Sequence, residues 1–454
     1  MGRLSTLASV TPPVLERLRA FVEERAIDTF RAGGATIDGT WRTQRVPAAA
    51  LLTGEPIAQP DAIFATDVAF DWYEPRLGYS GANRGLPDLA LVPDLSTVRA
   101  LPWEEGTATV ICDHMEWDGT PVEISPRHVL ARVVERCRSL GYEPLAAVEL
   151  EFYVYRETPE TLREKGYARL APLTPVDSPL DPIVASGLLR RWTRALEDYG
   201  LAVAGASTET GPSHLELNLA HRPALEAADA ALMYKHALRE LAAQDALMVT
   251  FMARPEAAVP PSSSHVHMSL WEDERNAFWD GPAGSSTLRA YVAGALASLR
   301  ELALLALPTV NSYRRIAPYR GSPTGATWGF ENRTAALRVV AHAAGGCRVE
   351  HRLAGADANP YLSVAAALAS GLHGLERALE PPEPYQGDTW ALAEVPQVPR
   401  TLDDAIELFD TSPLARELLG ERFCDHYAAT RRRELERFRR AVTDWERERY
   451  LERV

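Results

Sequence analysis

Hydrophobic and polar positions change texture along the chain. After Pro12 and Pro13, VLERLRAFVEERAIDTFRA carries apolar residues at helical spacing, which predicts a helix over residues 12–32. Short apolar runs punctuated by proline and glycine follow. DLALVPDLSTVRALPW and GTATVICDHME predict strands, in a segment that reaches about residue 118. SPRHVLARVVERCRSLGY (125–142) predicts a capped helix with a glycine stop. Beyond it helices alternate with strands. SGLLRRWTRALEDYGL, AALMYKHALRELAAQ, LRAYVAGALASLRELALLA and NPYLSVAAALASGLHGLERAL predict helices, and residues 403–450 are expected to be mostly helical. A length of 454 residues suits two domains, and the change in texture puts the boundary near residue 120, giving units 1–120 and 121–454.

Four period-2 segments repeat one design. In AAVELEFYVY, Glu149 and Glu151 share a face. In HLELNL, Glu216 and Asn218 lie opposite Leu215, Leu217 and Leu219. In SHVHMSL, His265, His267 and Ser269 lie opposite Val266, Met268 and Leu270, and in CRVEHRL, Arg348, Glu350 and Arg352 share a face. Strands of this kind suit a sheet whose polar face lines a cleft. Burying several carboxylates costs several kcal/mol each unless cations compensate, at order-of-magnitude level. Oxygen-rich ligands with one imidazole suit Mg²⁺ or Mn²⁺ better than zinc. With Glu209 added, the carboxylates could balance two divalent ions.

Charge and composition narrow the picture. About half the residues are hydrophobic and a quarter charged, as in ordinary globular proteins. The net charge of −14 argues against a nucleic-acid or anionic-membrane partner. Cys112, Cys137, Cys347 and Cys424 are too scattered for a zinc site or disulfide framework. The amino terminus lacks a signal peptide's apolar core and no long apolar run occurs, so a cytoplasmic location is expected.

A cationic set completes the chemistry. Arg315, Arg333, Arg338, Arg348 and Arg352 lie in apolar or strand-like contexts, whereas Arg314 reads as surface. Arginine binds phosphate and carboxylate bidentately and stays charged. Divalent ions with several arginines equip a site for phosphoryl transfer. No Walker-type glycine loop is present, so a nucleotide must be held another way.

VELEFYVY, TETGPSHLEL, SHVHMSLW, NSYRRIAP, ENRTAALRV, CRVEHRLAGADANPYL and VTDWERERYL, in this order, resemble the glutamine synthetase family. WGFENRTAALRV and VTDWERERYL are most similar to its γ-glutamylpolyamine and γ-glutamylamide branch. The resemblance implies an α+β fold: an N-terminal β-grasp domain and a larger catalytic α/β domain whose antiparallel strands line the active site. It implies a homo-oligomeric ring, usually a dodecamer of two stacked hexamers, with active sites shared between neighbours. It also implies ATP-dependent chemistry, in which the γ-carboxylate of glutamate takes ATP's terminal phosphoryl group and an amine then displaces phosphate. By the same resemblance one metal goes to Glu151, Glu209 and Glu216, and the other to Glu149, His265 and Glu350. His267, Ser269 and Arg348 would contact the nucleotide. Arg333 and Arg338 would stabilise the transferring phosphoryl group, and Arg315 and Arg352 would hold the amino acid's carboxylates.

The sequence departs from the family at the ammonium site. Two acids normally cage ammonium there; here the positions fall on Thr36, with Asp38 nearby, and on Gly321. Neither supplies negative charge, and both changes favour a larger primary amine. Asp38, Asp71 and Glu74 are candidate partners for a second ammonium, and Trp41, Trp72, Tyr73 and Tyr319 for an apolar lining. Two further departures bear on the acid substrate. VPPSSSH puts Pro260 and Pro261 at the family's Asn-Gly positions, and TGPSHLE puts Ser213 and His214 at its Gly-Gln positions. Proline has no N–H and a fixed φ, so this loop must follow its own path. The expectation is a ligase joining glutamate to an amine other than ammonia.

Overall fold

The opening apolar run does not stay helical to residue 32. In the computed structural model, which describes residues 12–73, 79–174, 181–318 and 321–454, the first helix is Pro12–Glu24. Glu74 and Tyr319 lie outside the described residues. Ala26 takes a left-handed φ of 50°, and Thr29–Ala35 becomes a strand. Its helix-compatible TFRA is claimed by strand pairing on both sides, which outweighs local propensity.

Strands β1 (Thr29–Ala35), β2 (Trp41–Pro47), β3 (Ile57–Pro60), β4 (Asp88–Pro93), β5 (Arg99–Ala100) and β6 (Thr107–Met115) form a six-stranded sheet in the order β2-β1-β6-β4-β3, with β5 on β6. β1 and β6 are parallel and the other neighbours antiparallel, in keeping with a β-grasp. The second sheet contains β7 (Glu143–Tyr155), β8 (Val203–Thr208), β9 (His214–Leu219), β10 (Arg222–Pro223), β11 (Met248–Thr250), β12 (Ser264–Glu272), β13 (Arg275–Asn276), β14 (Trp328–Phe330), β15 (Leu337–Val340) and β16 (Arg348–His351). Its main path runs β14-β15-β16-β12-β7-β9-β8 and is antiparallel except for β14 with β15.

Helices Pro126–Ser139, Ala224–Gln244 and Pro360–Glu376 cover the apolar face of the second sheet, burying Ala146, Val148, Leu150, Phe152 and Val154. Ser125, at the start of the first of these, turns its hydroxyl to His114 Nδ1 (3.2 Å) and does not cap the helix. The run 288–306 divides into Ser286–Ser298 and Ala303–Ala306. Just before the break Ser298 Oγ donates back to the Gly294 carbonyl, a contact that weakens the helical ladder. Helices Ser286–Ser298 and Pro360–Glu376 touch backbone to backbone: a Cβ on Gly374 would fall 1.9 Å from the Ala290 oxygen.

The two sheets are joined through one continuous core that includes Ile37, Trp41, Phe64 and Ile111 from the first and Val148 and Leu217 from the second. Arg127 sits at the junction. It donates to both oxygens of Asp229 (2.9 Å each), to Asp113 (2.7 Å) and to Asp94 (2.6 Å). Among the described residues, no helix is long and apolar enough to cross a membrane.

Candidate active site

Strand register assembles the polar face. On β7, Glu149 pairs with His265 of β12 on one side and Asn218 of β9 on the other, and Glu151 pairs with Glu216. Beyond β12, His267 pairs with Glu350 of β16, which pairs with Arg338 of β15. Because side chains alternate, these paired positions share one face of the sheet.

Glu149, His265 and Glu350 converge: one ligand atom from each lies within 4.8 Å of the others, the one such group among the described residues. His265 Nδ1 is 3.0 Å from Glu149 Oε1 and 3.5 Å from Glu350 Oε1. His267 Nε2 is 3.0 Å from Glu149 Oε2, and His267 Nδ1 accepts from Arg348 Nε at 3.2 Å. Burial opposes the charge on Glu149, but hydrogen bonds from His265 and His267 outweigh it and hold the carboxyl well below its usual range. For Glu350 burial is likewise outweighed, by His265 and Arg352, and its pKa falls to about 2.

The other carboxylates crowd alongside. Glu151 accepts from the Ser263 N–H at 2.8 Å and lies 3.4 Å from His214 Nε2. Glu216 accepts from Asn218 Nδ2 at 2.7 Å, while burial and the facing Glu149 raise its pKa. Burial and Glu151 raise that of Glu209. Carboxylates that burial and neighbouring like charges keep from ionising fit a place where a divalent cation would supply the missing charge. Two carboxylates and an imidazole also form a donor set suited to Mg²⁺ or Mn²⁺.

The arginines take separate positions. Arg338 donates to Glu350 (2.9 Å) and Glu331 (2.5 Å), and Arg352 also bonds Glu350. Arg315 is fully buried, donating to the Leu353 carbonyl (2.7 Å) and Ser263 Oγ (2.9 Å), and burial lowers its pKa to about 10. Arg333 is exposed. Glu149, Asn218, His267, Ser269, Trp271 and Arg348 line a cleft of about 550 Å³.

Thr36 lies in the β1–β2 turn, its carbonyl accepting from Asn359 Nδ2 at 3.1 Å. Gly321 has φ +80° and open space where a side chain would project. Asp38 is held by Arg431 (2.6 Å) and Tyr73 (2.5 Å), so its charge is already matched. Trp41 is buried and donates to the Gly33 carbonyl, whereas Trp72 and Asp71 are exposed. Sequence reasoning passed over Ser263, which reaches both Glu151 and Arg315, and Glu331, which holds Arg338. Tyr153 was also legible in principle, since it continues the face of Glu149 and Glu151.

A β-grasp sheet beside an antiparallel sheet, with carboxylates, imidazoles and guanidiniums gathered on one face, defines an enzyme built to handle anions with cation assistance. The chain belongs to the glutamine synthetase family: residues 123–450 match the glutamine synthetase catalytic domain. It is 35% identical over 452 residues to a glutamate–isopropylamine ligase of Pseudomonas sp, covering 96% of this chain and 97% of that one. It is 38% identical over 459 residues to the γ-glutamylethanolamide synthetase GlnA4 of Streptomyces coelicolor, covering 99% and 98%. A solved GmaS/ADP complex superposes with a TM-score of 0.82 at 26% identity, covering 96% of this chain and 99% of that one.

Proposed function

We propose that this protein is an ATP-dependent ligase that joins the γ-carboxylate of glutamate to a primary amine other than ammonia. The observation that carries the reading is the convergence of Glu149, His265 and Glu350 beside Arg338, Arg348 and Arg352 on one sheet face. The names of its relatives, a glutamate–isopropylamine ligase and a γ-glutamylethanolamide synthetase, support an amine acceptor. So does the lack of a carboxylate at Thr36 and Gly321.

In this reading Glu149, His265 and Glu350 would hold one divalent cation, and Glu151, Glu209 and Glu216 a second. Such ions, Mg²⁺ or Mn²⁺, offset charge on phosphate oxygens. His267, Ser269 and Arg348 line the nucleotide's cleft. Arg315 and Arg352 orient the amino acid through its carboxylates. An oxygen of the γ-carboxylate attacks the terminal phosphorus of ATP and ADP leaves, with Arg338 and Arg333 opposing the charge that develops. The amine nitrogen then attacks the acyl carbon of γ-glutamyl phosphate, phosphate departs, and the nitrogen loses a proton. Thr36 and Gly321 border the amine. The functional unit is read as a cytoplasmic homo-dodecamer with shared sites, its domains meeting near residue 120.

Phosphate release from ATP and Mg²⁺, with glutamate fixed and ammonia, ethanolamine, alkylamines, aniline and diamines varied, tests the reading when products are identified by mass. Release with an organic amine well above ammonia is expected. Equal or faster turnover of ammonia would overturn the acceptor assignment. The Pro260–Pro261 loop favours one second reading, a ligase of the same type using another acid, and amide formation with glutamate as sole acid excludes it.

A further inference from the structure

Two departures far apart in the sequence, His214 and the Pro260–Pro261 pair, meet in the fold. The Tyr153 ring stacks on His214 with centroids 4.2 Å apart and planes 1° from parallel. Tyr153 Oη donates to the Pro260 carbonyl at 2.8 Å. His214 Nδ1 lies 3.1 Å from the Thr210 carbonyl, and Nε2 lies 3.2 Å from Ser262 Oγ and 3.4 Å from Glu151 Oε2. Gly211, at φ +118°, makes the approach possible, because a Cβ there would come within 3.0 Å of both Pro260 Cδ and Tyr153 Oη. Tyr153 and His214 are both buried.

What this support holds is the segment that reaches the acid side of the site. Ser262 donates its N–H to Ala253 and accepts from Ala356 through its carbonyl. Ser263 gives its N–H to Glu151 (2.8 Å), and its hydroxyl receives Arg315 Nη2 (2.9 Å). The two prolines stiffen the approach and present no N–H of their own. A route of direct contacts therefore runs from Tyr153 and His214 through Pro260–Ser263 to Arg315.

We propose that Tyr153, His214 and the Pro260–Ser263 loop are a specificity-determining support that sets Arg315 in place and so decides which amino diacid is accepted. This rests on the reading of Arg315 as the holder of the acid's carboxylate. Tyr153 and His214 are positioning residues, acting through the loop.

The test uses the purified full-length protein, wild type, Tyr153→Phe and His214→Gln, with ATP, Mg²⁺ and the best amine of the panel. KM is measured separately for glutamate and for the amine, and kcat/KM is compared for glutamate, aspartate and 2-aminoadipate. Loss of the Tyr153 hydroxyl removes its part-buried hydrogen bond to the Pro260 carbonyl, so glutamate KM is expected to rise roughly 3- to 10-fold with the amine KM unmoved. The preference for glutamate over its shorter and longer homologues is expected to narrow. Variants of wild-type size whose two KM values rise together, or whose glutamate KM and acid preference stay put, would overturn the proposal. Should His214→Gln fail to fold, Tyr153→Phe decides alone. A wild type that makes no amide with any amine would overturn the ligase reading itself, a result distinct from a silent substitution.

Discussion

At the residue scale, environment separates chemically identical groups. Glu149 and Glu216 are neighbours on one face, yet hydrogen bonds from two imidazoles hold Glu149 ionised, while burial and the charge of Glu149 make Glu216 hold its proton more tightly. Glu151 is held by the Ser263 N–H and by His214, whose Nε2 lies 3.4 Å from its Oε2. Replacement of Glu151 by Ala is expected to cut amide formation by more than about 100-fold, beyond the loss typical of an outer-shell partner of a metal. Oligomer size by light scattering should stay unchanged, and full activity would remove Glu151 from the ligand set.

A different residue gives a pH signature away from the site. His114 is enclosed between Gln59 and Ser125, and burial, with His128 nearby, depresses its pKa to about 3. The fold keeps it neutral, whereas the unfolded chain protonates it near the ordinary 6.5. Its contribution to stability is therefore present above about 6.5 and lost as pH falls from there toward 3. Urea midpoints of the wild type should fall more steeply across this window than those of His114→Gln.

At the scale of elements, the site depends on register. A one-residue slip of β7 against β12 would turn Glu149 and Glu151 into the core and Val148 and Leu150 onto the polar face. Helix packing behind the sheet resists such slips. The contact of Ser286–Ser298 with Pro360–Glu376 tolerates no side chain at Gly374, whose Cβ would overlap the Ala290 carbonyl. Gly374→Ala is expected to cost about 1–3 kcal/mol, as overpacked cores do, read from denaturant midpoints. Gly387 makes a useful contrast. A Cβ there would meet open space, but its φ of +81° is one that side-chain-bearing residues rarely adopt, so strain at that position is conformational and not steric crowding.

For the whole molecule, a charged contact accompanies the apolar core between the sheets. Arg127 joins Asp94 and Asp113, from the first-sheet region, to Asp229 on the helix behind the second sheet. Tyr361 adds a hydrogen bond to Asp229 at 2.6 Å. Neighbouring carboxylates outweigh the burial of Arg127 and hold its guanidinium firmly charged. Arg127→Met would leave the buried Asp229 and the half-buried Asp94 and Asp113 uncompensated, and a loss of about 3–5 kcal/mol is expected in urea unfolding.

Much of this protein could be read before it was folded. Period-2 alternation in VELEFYVY, HLELNL and SHVHMSL marked the strands and their polar faces, because alternation is a local property of the extended backbone. The ordered motifs revealed the family, which the match over residues 123–450 bears out. Local pattern misjudged the end of the first helix, since TFRA suits either state and only pairing with β2 and β6 chose. It also gave no sign that Arg127 and Asp229 would pair, or that His214 would stack on Tyr153 beside Pro260. Composition and spacing thus determined which groups were available and on which face each strand carries them. Tertiary structure alone decided which of them touch, because register and packing bring together residues that no local pattern relates.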